Sequence, residues 1–176
     1  DFLNVLAPAV ITAADVNSLR LTNPTKLLVL DVRSAADFAA KGRIAGAVQV
    51  DLKNIVTYMK TANSTSYDKV VIACYSGQTA GYAVSFLRLL GYSNVFSLKW
   101  GMSSWNADCA TSWAAPNIGN NYTGFVTTST AKAAAGNLPI LNTGKTTGKE
   151  ILEERINQLF ATTSASAFDD IKIAWS

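Results

Sequence analysis

Two unbroken apolar runs dominate the hydrophobic pattern of this chain, KLLVLDV over Lys26–Val32 and KVVIAC over Lys69–Cys74. Continuous runs of this kind, without polar alternation, predict strands buried on both faces of a sheet. NVFSL predicts a third strand and GAVQVDL a shorter one. The intervening segments have helical spacing. Thr12 and Asp15 cap a helix predicted over Ala13–Leu19, which Asn23-Pro24 terminates. Ser34 and Asp37 cap a second helix in AADFAAK, with Gly42 as its stop, and LKNIVTYMK predicts a third. The polar stretch TANSTSYD reads as a surface loop. Beyond Cys74 the pattern predicts a helix with Ala80, Ala83, Val84, Leu87 and Leu90 on one face, closed by Gly91. KWGMSSWNA then predicts a turn and a short helix carrying Trp105. Strands alternating with helices imply an α/β fold, a parallel sheet covered on both faces.

After about residue 110 the pattern changes, so 109–176 is read as a C-terminal extension. It opens with an irregular stretch rich in Gly, Asn, Thr and Ser. An amphipathic helix is predicted over 148–161, opened by a capping box of Thr147 and Glu150. Ile151, Leu152, Ile156, Leu159 and Phe160 share one of its faces, which must dock somewhere, on this domain or on a protein partner. Ile171, Ile173 and Trp175 alternate with Lys172 and Ala174, predicting an edge strand at 170–175. The Gly-Lys-Thr of NTGKTTGKE does not complete a phosphate-binding loop, because Pro139 stands where the first glycine is required.

Composition narrows the chemistry. Hydrophobic residues make up 49% of the 176 and charged residues 15%, which describes a globular chain. The net charge of +3, without Lys/Arg runs interleaved with aromatics, gives no nucleic-acid surface. No apolar run reaches the length of a membrane span. Abundant Ala, Ser, Thr and Asn with little charge suit a bacterial protein exported to the periplasm, its signal removed before Asp1, with a cytoplasmic location as the alternative. The absence of histidine excludes a Ser-His-Asp triad and disfavours a zinc site. Two cysteines, Cys74 and Cys109, make no disulfide framework.

Cys74 stands where an apolar strand meets a helix. It is either a small core residue or a nucleophile. If the strand ends at Ala73 and the helix begins near Gln78 or Thr79, residues 75 to 79 curl round the thiol. Gly77 lets successive amides face inward, and the helix N-terminus adds partial positive charge. Both effects favour thiolate, and such sites lower a cysteine pKa from about 8.5 to roughly 3.5–7.5. The expectation is therefore an acidified thiol. Cys109 reads as structural, or as a resolving partner for Cys74.

Several ordered motifs resemble the rhodanese domain, of the single-domain sulfurtransferase type. They are Asp31-Val32-Arg33, the acidic-aromatic pair Asp37-Phe38, Gly42-Arg43-Ile44-Ala45-Gly46-Ala47, the loop of Cys74, Gly77 and Thr79, and Leu90-Gly91-Tyr92 with Val95, Gly101 and Trp105. The resemblance covers 8–108 and implies a three-layer α/β/α domain with a central, mostly parallel five-stranded sheet. It implies that Cys74 takes sulfur from a donor such as thiosulfate and passes it, as a persulfide, to cyanide or a thiol. The substrate would be held by Tyr75, Ser76, Gly77, Gln78 and Thr79, chiefly through backbone amides, with hydroxyls of Ser76 and Thr79 assisting. Asp31 and Arg33 would brace the loop, or form a plain ion pair. No cofactor or metal is implied. Arg43 and Ala45 replace the family's usual His and Pro, and the loop carries no charged side chain. A related fold in phosphatases requires arginine at the position of Ala80, which argues against phosphate chemistry. The alternative to an enzyme is a sulfur-carrier or sensing module, loaded and unloaded by partner proteins.

Overall fold

A computed structural model of the chain describes residues 9–111, 127–129, 131–132, 134–137 and 140–161. Five strands form one sheet: β1 (Val10–Ile11), β2 (Leu27–Asp31), β3 (Val48–Gln49), β4 (Lys69–Ala73) and β5 (Val95–Leu98). Their order is β1-β5-β4-β2-β3, and every pairing is parallel. The two apolar runs lie side by side at the centre, with Leu27 opposite Lys69 and Asp31 opposite Ala73. That central position is why their side chains are apolar on both faces. β1 was not legible in the sequence, because two residues are too few to show a period.

The helices are α1 (Ala13–Thr22), α2 (Ala35–Ala40), α3 (Ile55–Thr61), α4 (Gln78–Leu89) and α5 (Gly148–Phe160). α1 runs three residues past its predicted end at Leu19. Thr12, Ser34 and Thr147 each accept a hydrogen bond from an amide of the first turn they cap. α4 ends as its Leu-Gly-Tyr sequence requires, with the Gly91 amide donating to Arg88 and the Tyr92 amide to Leu87. Within TANSTSYD, Ser64 is buried and donates to the Met59 carbonyl, so this loop is partly internal.

Alternating strand positions divide the core into two layers. Leu28, Leu30, Val70, Ile72 and Cys74 pack with Ile55, Val56 and Met59 of α3 and Ala80, Ala83, Val84 and Leu87 of α4. Val29, Val71, Ala73 and Leu98 pack on the other face with Val16 of α1 and Met102. Three layers result, as the family resemblance implied.

α5 docks on this same domain. Its Leu152, Ile156 and Phe160 join the layer formed by α3 and α4. The Phe160 ring meets Tyr82 and Phe86 edge-on, at centroid distances of 5.7 and 5.9 Å. Glu153 pairs with Lys60 of α3. The apolar face that a protein partner could have used is therefore covered by the chain's own core. The edge strand predicted at 170–175 lies outside the described residues. Among the described residues, no helix is long and apolar enough to cross a membrane.

Ile156→Ala removes a side chain only 1% exposed. The expected loss is about 2–5 kcal/mol of unfolding free energy in urea, within a single transition. An unchanged midpoint would show that α5 is not part of the folded unit.

Candidate active site

Residues Cys74–Gly77 span the joint between β4 and α4, at the carboxyl end of the central strand. Ligands of parallel α/β sheets bind at such ends. Gly77 is the N-cap of α4, with φ +91°. A Cβ there would stand 3.1 Å from the Trp100 amide nitrogen. Gly101, with φ +57°, presses on the loop from the segment after β5. A Cβ on it would lie 2.5 Å from the Cys74 carbonyl oxygen, 2.7 Å from the Gly77 nitrogen and 2.8 Å from the Ser76 nitrogen. Only glycine fits at this position, both for its backbone angle and for its neighbours.

The same segment takes the loop's carbonyls. The Met102 amide donates to the Cys74 carbonyl at 2.7 Å and the Ser103 amide to the Tyr75 carbonyl at 3.0 Å. With the Tyr75 carbonyl held from that side, the Ser76 amide of the same peptide unit faces the sulfur. Gly77 and Ala80 N–H groups donate to Cys74 Sγ at 3.1 and 3.3 Å. Amides of Ser76 and Thr79 also favour its anion. The hydroxyls of Ser76 and Thr79 make no hydrogen bond to the sulfur, so the cradle is backbone throughout. Gln78, the first residue of α4, is exposed.

The acidified thiol expected from sequence is not what this geometry produces. Cys74 is 3% exposed. Burial pushes its thiol above the ordinary value, and the amides of Ala80, Ser76, Gly77 and Thr79 only partly offset that. The dipole and the amides could be read from the sequence, whereas the depth at which the sulfur lies could not. The resting group is a thiol inside a cradle built for an anion.

Asp31 and Arg33 form a buried ion pair. The Arg33 guanidinium donates to both Asp31 oxygens, with Nη2 at 2.7 Å, and to the Gly42 carbonyl at 2.7 Å. It also lies 3.7 Å from Cys109 Sγ. The pair holds the turn after α2, and its hydrogen bonds do not reach residues 74–79. The hydrogen bonds that reach the loop's carbonyls come from Met102 and Ser103, beside the close approach of Gly101. Of these only Gly101 had a sequence signal, its place in the family motif. Cys109 packs in the layer opposite that of Cys74, with the sheet between them, and both are free thiols.

A family model for the rhodanese-like domain matches residues 12–108. The chain belongs to the rhodanese-like domain family. Over 78 residues it is 36% identical to the thiosulfate sulfurtransferase GlpE of Pseudomonas fluorescens, covering 44% of this chain and 69% of that one. The protein of the same name from Pseudomonas putida is 31% identical over 90 residues, 51% of this chain and 79% of its own. A solved structure from Rhodopseudomonas palustris, described as a protein of unknown function and possible tyrosine phosphatase, superposes with a TM-score of 0.50 at 18% identity. It covers 55% of this chain and 77% of that one, and the likeness is one of fold. In this rhodanese-like domain, the position that would carry a phosphatase arginine is Ala80, whose amide is part of the cradle.

Iodoacetamide alkylation of Cys74, followed residue by residue with mass spectrometry, should show a pH midpoint above that of an ordinary free thiol. Because the folded pKa is raised, the associated stability is present below the unfolded thiol's pKa and is lost as pH rises toward the folded one. Gly101→Ala should destabilise the domain by roughly 1–3 kcal/mol through strain at positive φ and the clash with Cys74. Alkylation with an ordinary midpoint, or unchanged stability in the Gly101→Ala variant, would contradict this geometry.

Proposed function

We propose that this rhodanese-like enzyme transfers a sulfane sulfur through Cys74. The observation that carries the proposal is the cradle of amides around Cys74 Sγ, with Gly77 and Ala80 donating to the sulfur itself. Cys74 is the catalytic residue, and Tyr75, Ser76, Gly77, Gln78 and Thr79 form the substrate-binding loop. Asp31 and Arg33 support the site at a distance by fixing the turn at Gly42. The functional unit is residues 8–108, with 109–176 as an extension anchored by α5.

Cys74 loses its proton to solvent, and the thiolate attacks the outer sulfur of a donor such as thiosulfate. A sulfur–sulfur bond forms to Cys74, the donor's own sulfur–sulfur bond breaks, and sulfite leaves with the electron pair. Cys74 persulfide carries one negative charge, now one atom further out. The inward amides stabilise that charge without reorganising, as preorganised donors do. Cyanide or a thiolate then attacks the outer sulfur, giving thiocyanate or a new persulfide and restoring the Cys74 thiolate.

The donor takes its class from the relatives, which are named for thiosulfate. The uncharged loop and the protonated resting thiol support a second reading, a carrier that a partner protein loads and unloads. An exported location belongs to this proposal through composition alone.

Thiosulfate-to-cyanide turnover should be measured for wild type and Cys74→Ala, alongside the mass of each after donor exposure. Turnover that Cys74→Ala abolishes, with the mass of one sulfur atom added to wild type, is the expected result. A stable added sulfur without turnover selects the carrier. Turnover surviving in Cys74→Ala, or no sulfur taken up from any donor, overturns the proposal. The rate with donor should also rise with pH as Cys74 ionises, from the raised side.

A further inference from the structure

Tyr75 follows Cys74 directly, yet burial does not hold its side chain, since 42% of the residue is exposed. The phenol is held at its far end. Its hydroxyl donates to Asp37 Oδ2 at 2.5 Å and lies 3.4 Å from Ser34 Oγ and from the Ser34 amide nitrogen. Asp37 is itself fixed on α2. Its Oδ1 pairs with Lys41 Nζ at 3.0 Å, and its amide donates to the capping Ser34 Oγ at 3.1 Å. A side chain from the loop thus reaches across to a helix that follows β2. By sequence alone Asp37 has no role beyond capping and its place in a motif.

The position of this contact matters. β4 lies between β5 and β2 in the sheet. Met102 and Ser103, which follow β5, hold the carbonyls of Cys74 and Tyr75. The phenol holds the same residue from the β2 side. The backbone at Tyr75 is therefore clamped from both neighbouring strands, and the amides that approach the sulfur are those of the residues after it. A hydrogen bond to a carboxylate is among the stronger ones available near a surface.

We propose that Asp37 is a positioning residue for sulfur transfer, acting through the Tyr75 hydroxyl to fix the direction of the amides that hold Cys74 sulfur. This rests on the sulfur-transfer reading above. The clamp orients and does not touch the reacting atoms. Its removal should slow the chemical step more than it weakens donor binding, because a misdirected cradle loses most where charge develops.

The test uses the full chain and four variants: Tyr75→Phe, Asp37→Asn, the double variant, and Asp37→Glu. Thiosulfate-to-cyanide kinetics, the Cys74 alkylation rate and the melting temperature are read for each. Each single variant should lower kcat roughly three- to ten-fold with KM changed less than about two-fold. The double variant should match the worse single one, because both remove one contact. Asp37→Glu should recover most of the rate. The alkylation rate should shift in the same non-additive pattern, so that the clamp is readable even if the protein carries sulfur without turning over. Additive losses, a fall confined to melting temperature, or single variants that match wild type in both rates would overturn the role of Asp37. Turnover persisting in Cys74→Ala would overturn the sulfur-transfer reading instead, whatever the clamp variants do.

Discussion

The site depends on a close approach between two backbones. Gly101 lies so near the loop that a single added carbon would collide with Cys74, Ser76 and Gly77. That contact allows the next two amides, of Met102 and Ser103, to reach the carbonyls of Cys74 and Tyr75. A peptide unit whose carbonyl is turned one way presents its amide the other way. The inward direction of the Ser76 amide is thus set from outside the loop, by the segment that follows β5. Parallel neighbours in the sheet bring that segment to the same edge as the end of β4, and Gly77 and Gly101 let the two meet.

The second constraint is the placing of a sulfur anion in a buried, uncharged site. Burial raises the thiol, and four amides work against it without prevailing. The loop carries no arginine or lysine that would add to those amides. The consequence is selective. A cysteine that is protonated at rest is protected from indiscriminate oxidation, since the thiolate is the reactive form.

Much of the fold was legible because the sheet's centre is written in unbroken apolar runs. KLLVLDV and KVVIAC have no polar alternation, and such runs belong in the middle of a parallel sheet. Thr12, Ser34 and Thr147 were legible as caps because a short polar side chain before a helix has few other uses. α5 could be seen to need a partner surface, since Ile156 and Phe160 share a face with Leu152. Which surface it covers could not be seen, because a helix face specifies apolarity and not an address. The grooves of α3 and α4, with Tyr82 and Phe86, provide that address.

The sequence by itself determined the alternation of strands and helices, a strand-to-helix joint with the helix opening near Gln78 or Thr79, and the thiol at that joint. These follow from local rules of period, capping and glycine placement, which operate within a few residues. Tertiary structure alone decided how acidic that thiol is, because burial is a property of everything packed around it. It also decided that Arg33 donates to the Gly42 carbonyl, and that Asp37 meets a hydroxyl 38 positions along the chain. Contacts of that range leave no periodic mark in the sequence. They arise only when the sheet order places the ends of β2, β4 and β5 side by side.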